Sequence, residues 1–209
     1  MLYPIIIVLI FGYLIGCLHG SNVAKLLSGV NLKEVGHGNA GASNATLSLG
    51  WKYGVLVALI DIGKGVLAII LLRVILSNFT NFSSDQISIL LYTIGAAVIL
   101  GHNFPVHMKF RGGKGTASLI GIFIGLDWKF GLIAVLALVV ASLLTNYLII
   151  GVFVLYIFFG VTALLIEPTI WPFLIALTLF LIAVTLHVEN VKRLRIGSEP
   201  KITSAFKKS

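Results

Sequence analysis

Residues able to do chemistry are few in this chain and fall into four short stretches. Gly36-His37-Gly38-Asn39-Ala40-Gly41 matches the dinucleotide spacing G-x-G-x-x-G and runs on into Ala42-Ser43-Asn44. That spacing marks a nucleotide site only when it follows a strand and opens a helix in a βαβ unit. Without that context, Gly38 and Gly41 let a backbone approach a ligand closely, and Asn39 and Asn44 bring amide donors and acceptors. Ordinary turns use the same residue types.

The second stretch, Gly101 to Ala117, reads G-H-N-F-P-V-H-M-K-F-R-G-G-K-G-T-A. In Gly112-Gly113-Lys114-Gly115, successive amides can form a concave anion site, Lys114 adds a cation, and a following helix N-terminus also favours anions. The combination suits phosphate, with Lys109 and His102 nearby. A charged turn beside a membrane is the other reading. The pattern is not a Walker A loop, because Gly and not Ser or Thr follows Lys114.

The third stretch, His187-Val188-Glu189-Asn190, puts a group that titrates near neutrality beside an amide and a carboxylate. Proton transfer or orientation of a substrate is one use, and capping a helix end is the other. The fourth is Asp61 and Lys64, spaced i and i+3 on one helix face. Ionisable groups inside an apolar run either line a cavity or neutralise each other. His102 and His107 match no metal-ligand spacing, so no metal is expected. His19 reads as a packing residue. Cys17, alone in the chain, excludes an intrachain disulfide.

The elements carrying these residues are apolar. The 209 residues are 58% hydrophobic and 11% charged, with mean hydropathy +1.08, far from the composition of a soluble domain. A spanning helix needs about 20 apolar residues. Candidate spans run Tyr3–Leu27, Lys52–Leu76, Gln86–Leu100, Thr116–Leu126, Trp128–Leu144, Tyr147–Leu165 and Thr169–Val188. The expected fold is therefore an all-α integral membrane protein of about seven transmembrane helices, one membrane domain over residues 1–209. The fourth span is short enough to be tilted, broken or re-entrant. No basic residue precedes the first span, which reads as a retained helix and not a cleaved signal.

Loop charge sets orientation. Lys25, Lys33 and Lys52 flank the first loop, Lys109, Arg111 and Lys114 the second, and Lys192, Arg193, Arg195, Lys201, Lys207 and Lys208 crowd the tail. Ser77–Asp85 has no basic residue, and only Lys129 breaks the pattern. This predicts an outside N-terminus, a cytoplasmic C-terminus, cytoplasmic loops at about 28–50 and 101–115, and a cytoplasmic tail at about 189–209. Asn78-Phe79-Thr80 and Asn81-Phe82-Ser83 are formal glycosylation sequons on the outer loop. The net charge of +8 is scattered through these loops and does not describe a nucleic-acid partner.

The second stretch resembles the signature of the bacterial acyl-phosphate:glycerol-3-phosphate acyltransferases, the PlsY family. Gly38-Asn39-Ala40-Gly41-Ala42-Ser43-Asn44 resembles that family's first motif, and His187 to Lys201 its third, in the same order and over nearly the whole chain. The resemblance implies a multi-pass enzyme of the bacterial inner membrane with its active site facing the cytoplasm. It implies transfer of a fatty acyl group from acyl phosphate to the 1-hydroxyl of glycerol 3-phosphate, giving lysophosphatidic acid and phosphate in phospholipid synthesis. The implied partners are acyl phosphate, glycerol 3-phosphate and membrane lipid, with no cofactor. By the same resemblance His187, Asn190, Asn39 and Asn44 are catalytic and Glu189 is structural. Gly112, Gly113, Lys114, Gly115, Lys109, His102, Gly38, Gly41, Asp61 and Lys64 are expected to bind substrate phosphate.

The chain departs from the family pattern at several places. His37 stands at the family's Ser, Ser43 at its Thr and Leu47 at its Arg in the first motif. Asn146-Tyr147-Leu148-Ile149 replaces R-Y-x-S, and Gly16-Cys17-Leu18-His19 replaces G-S-I-P. Fewer cations for two anionic substrates leave open a paralogue with another acceptor or without turnover. A transporter or lipid-binding protein on the same scaffold is the competing class, disfavoured by the lack of an internal repeat.

Overall fold

The computed structural model describes residues 1–79 and 81–206. The sequon residue Thr80 and the tail lysines Lys207 and Lys208 lie outside the described residues. Among the described residues every regular element is helical. The helices are α1 (Leu2–Gly16), α2 (Gly20–Ser28), α3 (Ala42–Leu49), α4 (Trp51–Phe79), α5 (Ser84–Asn103), α6 (Thr116–Leu126), α7 (Trp128–Thr145), α8 (Leu148–Ile166), α9 (Trp171–Leu186), α10 (Val188–Arg195) and α11 (Ile202–Phe206).

Local sequence explains several boundaries. Ser83 and Gln86 form a reciprocal capping box that starts α5. Asp127 accepts the amides of Lys129 and Phe130 and so starts α7 directly after α6. His187 ends α9 and begins α10, and the two helix axes bend there by 54°.

Six of the seven expected spans coincide with single helices to within about three residues. The first is interrupted at residues 17–19, and α3, α10 and α11 are further short helices. Among the described residues five stretches are long and apolar enough to cross a membrane, or six if the bent α9–α10 pair counts as one. The α6 helix has 11 residues. At 1.5 Å per residue it reaches about 16 Å, roughly half of the hydrocarbon core.

This short helix is held by close packing. A side chain at Gly121 of α6 would drive into the carbonyl of Ile62 on α4, and one at Gly65 would meet the carbonyl of Ser118. Helices in lipid associate through such contact, not through exclusion of water. On its other side Phe123 meets Phe159 edge-on, and Phe159 stacks on Tyr92 with ring centroids 5.4 Å apart. The α6 helix is thereby fixed between α4, α5 and α8.

Candidate functional site

A cavity of about 610 Å³ collects the first three polar stretches at one end of the bundle. Its polar walls carry His37, Gly38, Asn39, Gly41 and Asn44 from the first, His102 and Gly112–Gly115 from the second, and His187, Glu189 and Asn190 from the third. Ala58, Ile62, Ile120, Leu138 and Val152 make an apolar wall on α4, α6, α7 and α8. Asp61 also lines the cavity; Lys64 and Lys109 do not.

The first loop is organised by Asn44. Its Oδ1 accepts the His37 amide at 2.8 Å, and its Nδ2 donates to the carbonyls of Leu32, Asn39 and Val35 at 2.8, 2.9 and 3.1 Å. Its hydrogen-bonding capacity is consumed by the loop backbone, so Asn44 shapes the wall on which Asn39 sits.

The glycine turn differs from the expected nest. The Gly112 and Gly113 amides donate to the carbonyls of Asn103 and His102 at 2.9 and 3.0 Å. They satisfy the C-terminal end of α5 and are not presented to a ligand. Gly113 has no room for a side chain, because a Cβ would strike His102 Nε2. What this turn does offer the cavity wall is the Lys114 ammonium and the start of α6, where Thr116 and Ala117 line the space. A helix N-terminus leaves its first amides without intrahelical partners.

Lys114 Nζ donates to Asn190 Oδ1. Asn190 Nδ2 donates to Glu199 Oε1 at 2.6 Å, and Arg193 Nε donates to Glu199 Oε2 at 2.8 Å. Burial and the Arg193 guanidinium pull the Lys114 ammonium down to about 8, against the opposing charges of Glu199 and Glu189. His187 Nδ1 lies 2.8 Å from the Ala183 carbonyl. A carbonyl can only accept, so Nδ1 carries the proton and the neutral ring keeps its lone pair on Nε2.

At the mouth, Lys33 Nζ donates to the Arg111 carbonyl. Burial, then repulsion from Arg111, lowers its pKa. Leu47, at the family's Arg position, also lines the cavity, and Asn146 is engaged elsewhere, with residues of the tail.

Asp61 and Lys64 form a framework. Lys64 Nζ lies 3.0 Å from Asp61 Oδ1 and 2.8 Å from His102 Nδ1, and donates to the carbonyls of Gly16 and Leu18 at 3.0 and 2.6 Å. Three N–H groups facing four acceptors leave none for a phosphate, so the expected phosphate contact of Lys64 gives way to a role in bracing the α1–α2 interruption. Asp61, an anion in the same network, likewise offers nothing to an anionic ligand. Lys109 takes a left-handed turn at φ 53 and stands outside the wall.

His19, Asp61 and His102 bring three metal-capable atoms within 4.8 Å of one another. The His19 and His102 rings stack with only 17° between their planes, so their in-plane lone pairs do not converge, and the Lys64 ammonium already sits on Asp61 and His102.

Glu189, expected as a structural residue, has its side chain 68% exposed and pairs with Lys192 at 2.8 Å. The buried carboxylate of the segment is Glu199, unnoticed in the sequence among its tail cations. Arg193 could have been found, because it lies at i+3 from Asn190 on one face of α10.

Residues 6–197 match the family described as Glycerol-3-phosphate acyltransferase. The chain is 43% identical over 203 residues to glycerol-3-phosphate acyltransferase 1 of Oceanobacillus iheyensis, covering 97% of each protein. It is 36% identical to the glycerol-3-phosphate acyltransferase of Thermotoga petrophila, covering 92% of this chain and 94% of that one. The fold is similar to the crystal structure of PlsY, an integral membrane glycerol 3-phosphate acyltransferase, in its glycerol 3-phosphate form. The TM-score is 0.83 at 30% identity, with 95% of each chain covered. The lysophosphatidic acid form of PlsY aligns with TM-score 0.80.

Proposed function

The chain belongs to the glycerol-3-phosphate acyltransferase family, and we propose that it moves a fatty acyl group from acyl phosphate to the 1-hydroxyl of glycerol 3-phosphate. It is a membrane acyltransferase, and its bacterial relatives support a cell-membrane location. In this reading seven segments enter the membrane, with the N-terminus outside and the tail and cavity on the cytoplasmic side. The loop charges support that orientation. The single membrane domain spans residues 1–209.

One observation carries the proposal: a single cavity joins a cationic, amide-lined end to an apolar wall among membrane helices. Phosphate belongs at Lys114 and the start of α6, beside Gly115; the acyl chain belongs along Ile62, Ile120 and Val152. Asn39, Gly38 and Gly41 form the facing wall for the acceptor, and His102 backs the glycine turn. The His187 Nε2 lone pair receives a hydrogen bond from the acceptor hydroxyl and aims its oxygen at the acyl carbonyl. A new ester C–O bond forms and the acyl–phosphate C–O bond breaks, while the hydroxyl proton is taken up at His187 Nε2 and handed on to the departing phosphate. The leaving group is good, so positioning and charge stabilisation supply most of the rate. Lys33 and Arg111 add cations at the mouth, where Leu47 provides none.

Purified protein in detergent, given acyl phosphate and labelled glycerol 3-phosphate, should form labelled lysophosphatidic acid without coenzyme A. Binding of both substrates without product would overturn the acyltransferase reading in favour of a non-catalytic paralogue.

A further inference from the structure

Asn146 ends α7 in the left-handed region, at φ 65 and ψ 15, a conformation that Asn tolerates better than most residues. Three hydrogen bonds join it to the tail. Its carbonyl accepts the Ile202 amide at 3.0 Å, its Oδ1 accepts the Thr203 amide at 3.0 Å, and its Nδ2 donates to Thr203 Oγ1 at 3.0 Å. From this anchor the chain runs back through Pro200 and Glu199, both in the cavity wall, to the end of α10. There the amides of Ser198 and Glu199 donate to the Arg193 carbonyl at 2.8 and 3.2 Å. Residues 199 and 200 are thus pinned on both sides, with the ring of Pro200 restricting the backbone between.

The pinned residue matters because of what it holds. Glu199 is 8% exposed and takes the Nδ2 side of the Asn190 amide. That fixes which way the amide faces, since a carboxylate can only accept. The Oδ1 side then meets Lys114. If Glu199 withdraws, the Asn190 side chain loses the bond that holds its Nδ2 side in place, is free to leave this rotamer, and takes the anchor of Lys114 with it.

We propose that Asn146 is a positioning residue, clamping the tail as a strap that seats Glu199 on Asn190 and keeps Lys114 aimed into the cavity. The proposal rests on the acyltransferase reading only for the identity of the ligand. Position 146 acts here through the tail, at a distance from the reacting atoms.

Asn146→Gly tests it without forcing the backbone, because Gly keeps the left-handed turn and the main-chain acceptor while removing both side-chain bonds. Hydrogen exchange at residues 198–203 should accelerate, and KM for glycerol 3-phosphate should rise roughly fivefold, the size of one net hydrogen bond, with kcat and melting temperature little changed. Asn146→Asp should restore KM, since its carboxylate still accepts the Thr203 amide and can accept the Thr203 hydroxyl. Unchanged exchange, or faster exchange with unchanged KM, would overturn the strap. Calorimetric binding of glycerol 3-phosphate reads the same comparison without turnover. Strap-dependent binding in a protein that makes no product sinks the acyltransferase reading and leaves the strap standing.

Discussion

Two lysines, one buried and one half-buried, sit close to this cavity, and their surroundings give them opposite jobs. Lys64, 7% exposed, faces a carboxylate, an imidazole nitrogen and two carbonyls at the α1–α2 break. Lys114 bonds one neutral amide and lines the open space. A cation whose acceptors all belong to the protein braces the fold. A cation held by one neutral partner keeps its other N–H groups for an arriving phosphate. The residue type is the same in both places, and the count of fixed acceptors separates framework from site.

The largest effect should come from breaking the framework. Lys64→Met leaves Asp61 and the Gly16 and Leu18 carbonyls without their cation; loss of one partner from a buried pair costs about 3–5 kcal/mol. Folded, detergent-stable protein should be nearly absent on size-exclusion chromatography. Activity per folded molecule near normal in good yield would abolish the distinction between the two lysines.

Lys114→Ala should do the reverse. Melting should shift little, while kcat/KM falls by about 10²–10³, as for other removed anion-stabilising donors. His187→Gln should lower kcat by about tenfold or more, with KM less affected; a fall in yield alone would make it a helix cap.

A pH profile sharpens the contrast further. Activity should fall as pH rises through about 8, where Lys114 loses its proton. The stability effect runs the other way. The folded-state value lies below the ordinary 10.5, so the charged lysine burdens the fold below about 8, and that burden fades toward 10.5. Lys114→Met should remove the alkaline limb in whatever activity remains. The smallest effect belongs to Glu189→Gln, whose exposed pair with Lys192 is expected to leave activity and melting unchanged.

Much of this was legible before folding. Helical spans could be read because no other open structure satisfies backbone groups in lipid. The interruption at residues 17–19 was hidden, since Cys17 and Leu18 keep the apolar run and the bonds holding the break come from Lys64 on another helix. Glycines at 112 and 113 suggested ligand-facing amides, yet the α5 carbonyls claim them. Asn44 and Asn39 look alike in sequence; only the surrounding carbonyls consume Asn44. Glu199 was one carboxylate among tail cations until α10 and its turn brought it onto Asn190 and Arg193.

Composition and motif order by themselves determined a helical membrane protein, the three polar stretches and their family. Those properties depend on hydropathy and local spacing, which are written along the chain. Tertiary structure alone decided which lysine is free to meet a ligand, which amides are already spent, and that the tail returns to the α7–α8 turn. Each of those depends on partners from distant segments competing for the same hydrogen bonds, and that competition is resolved only when the helices pack.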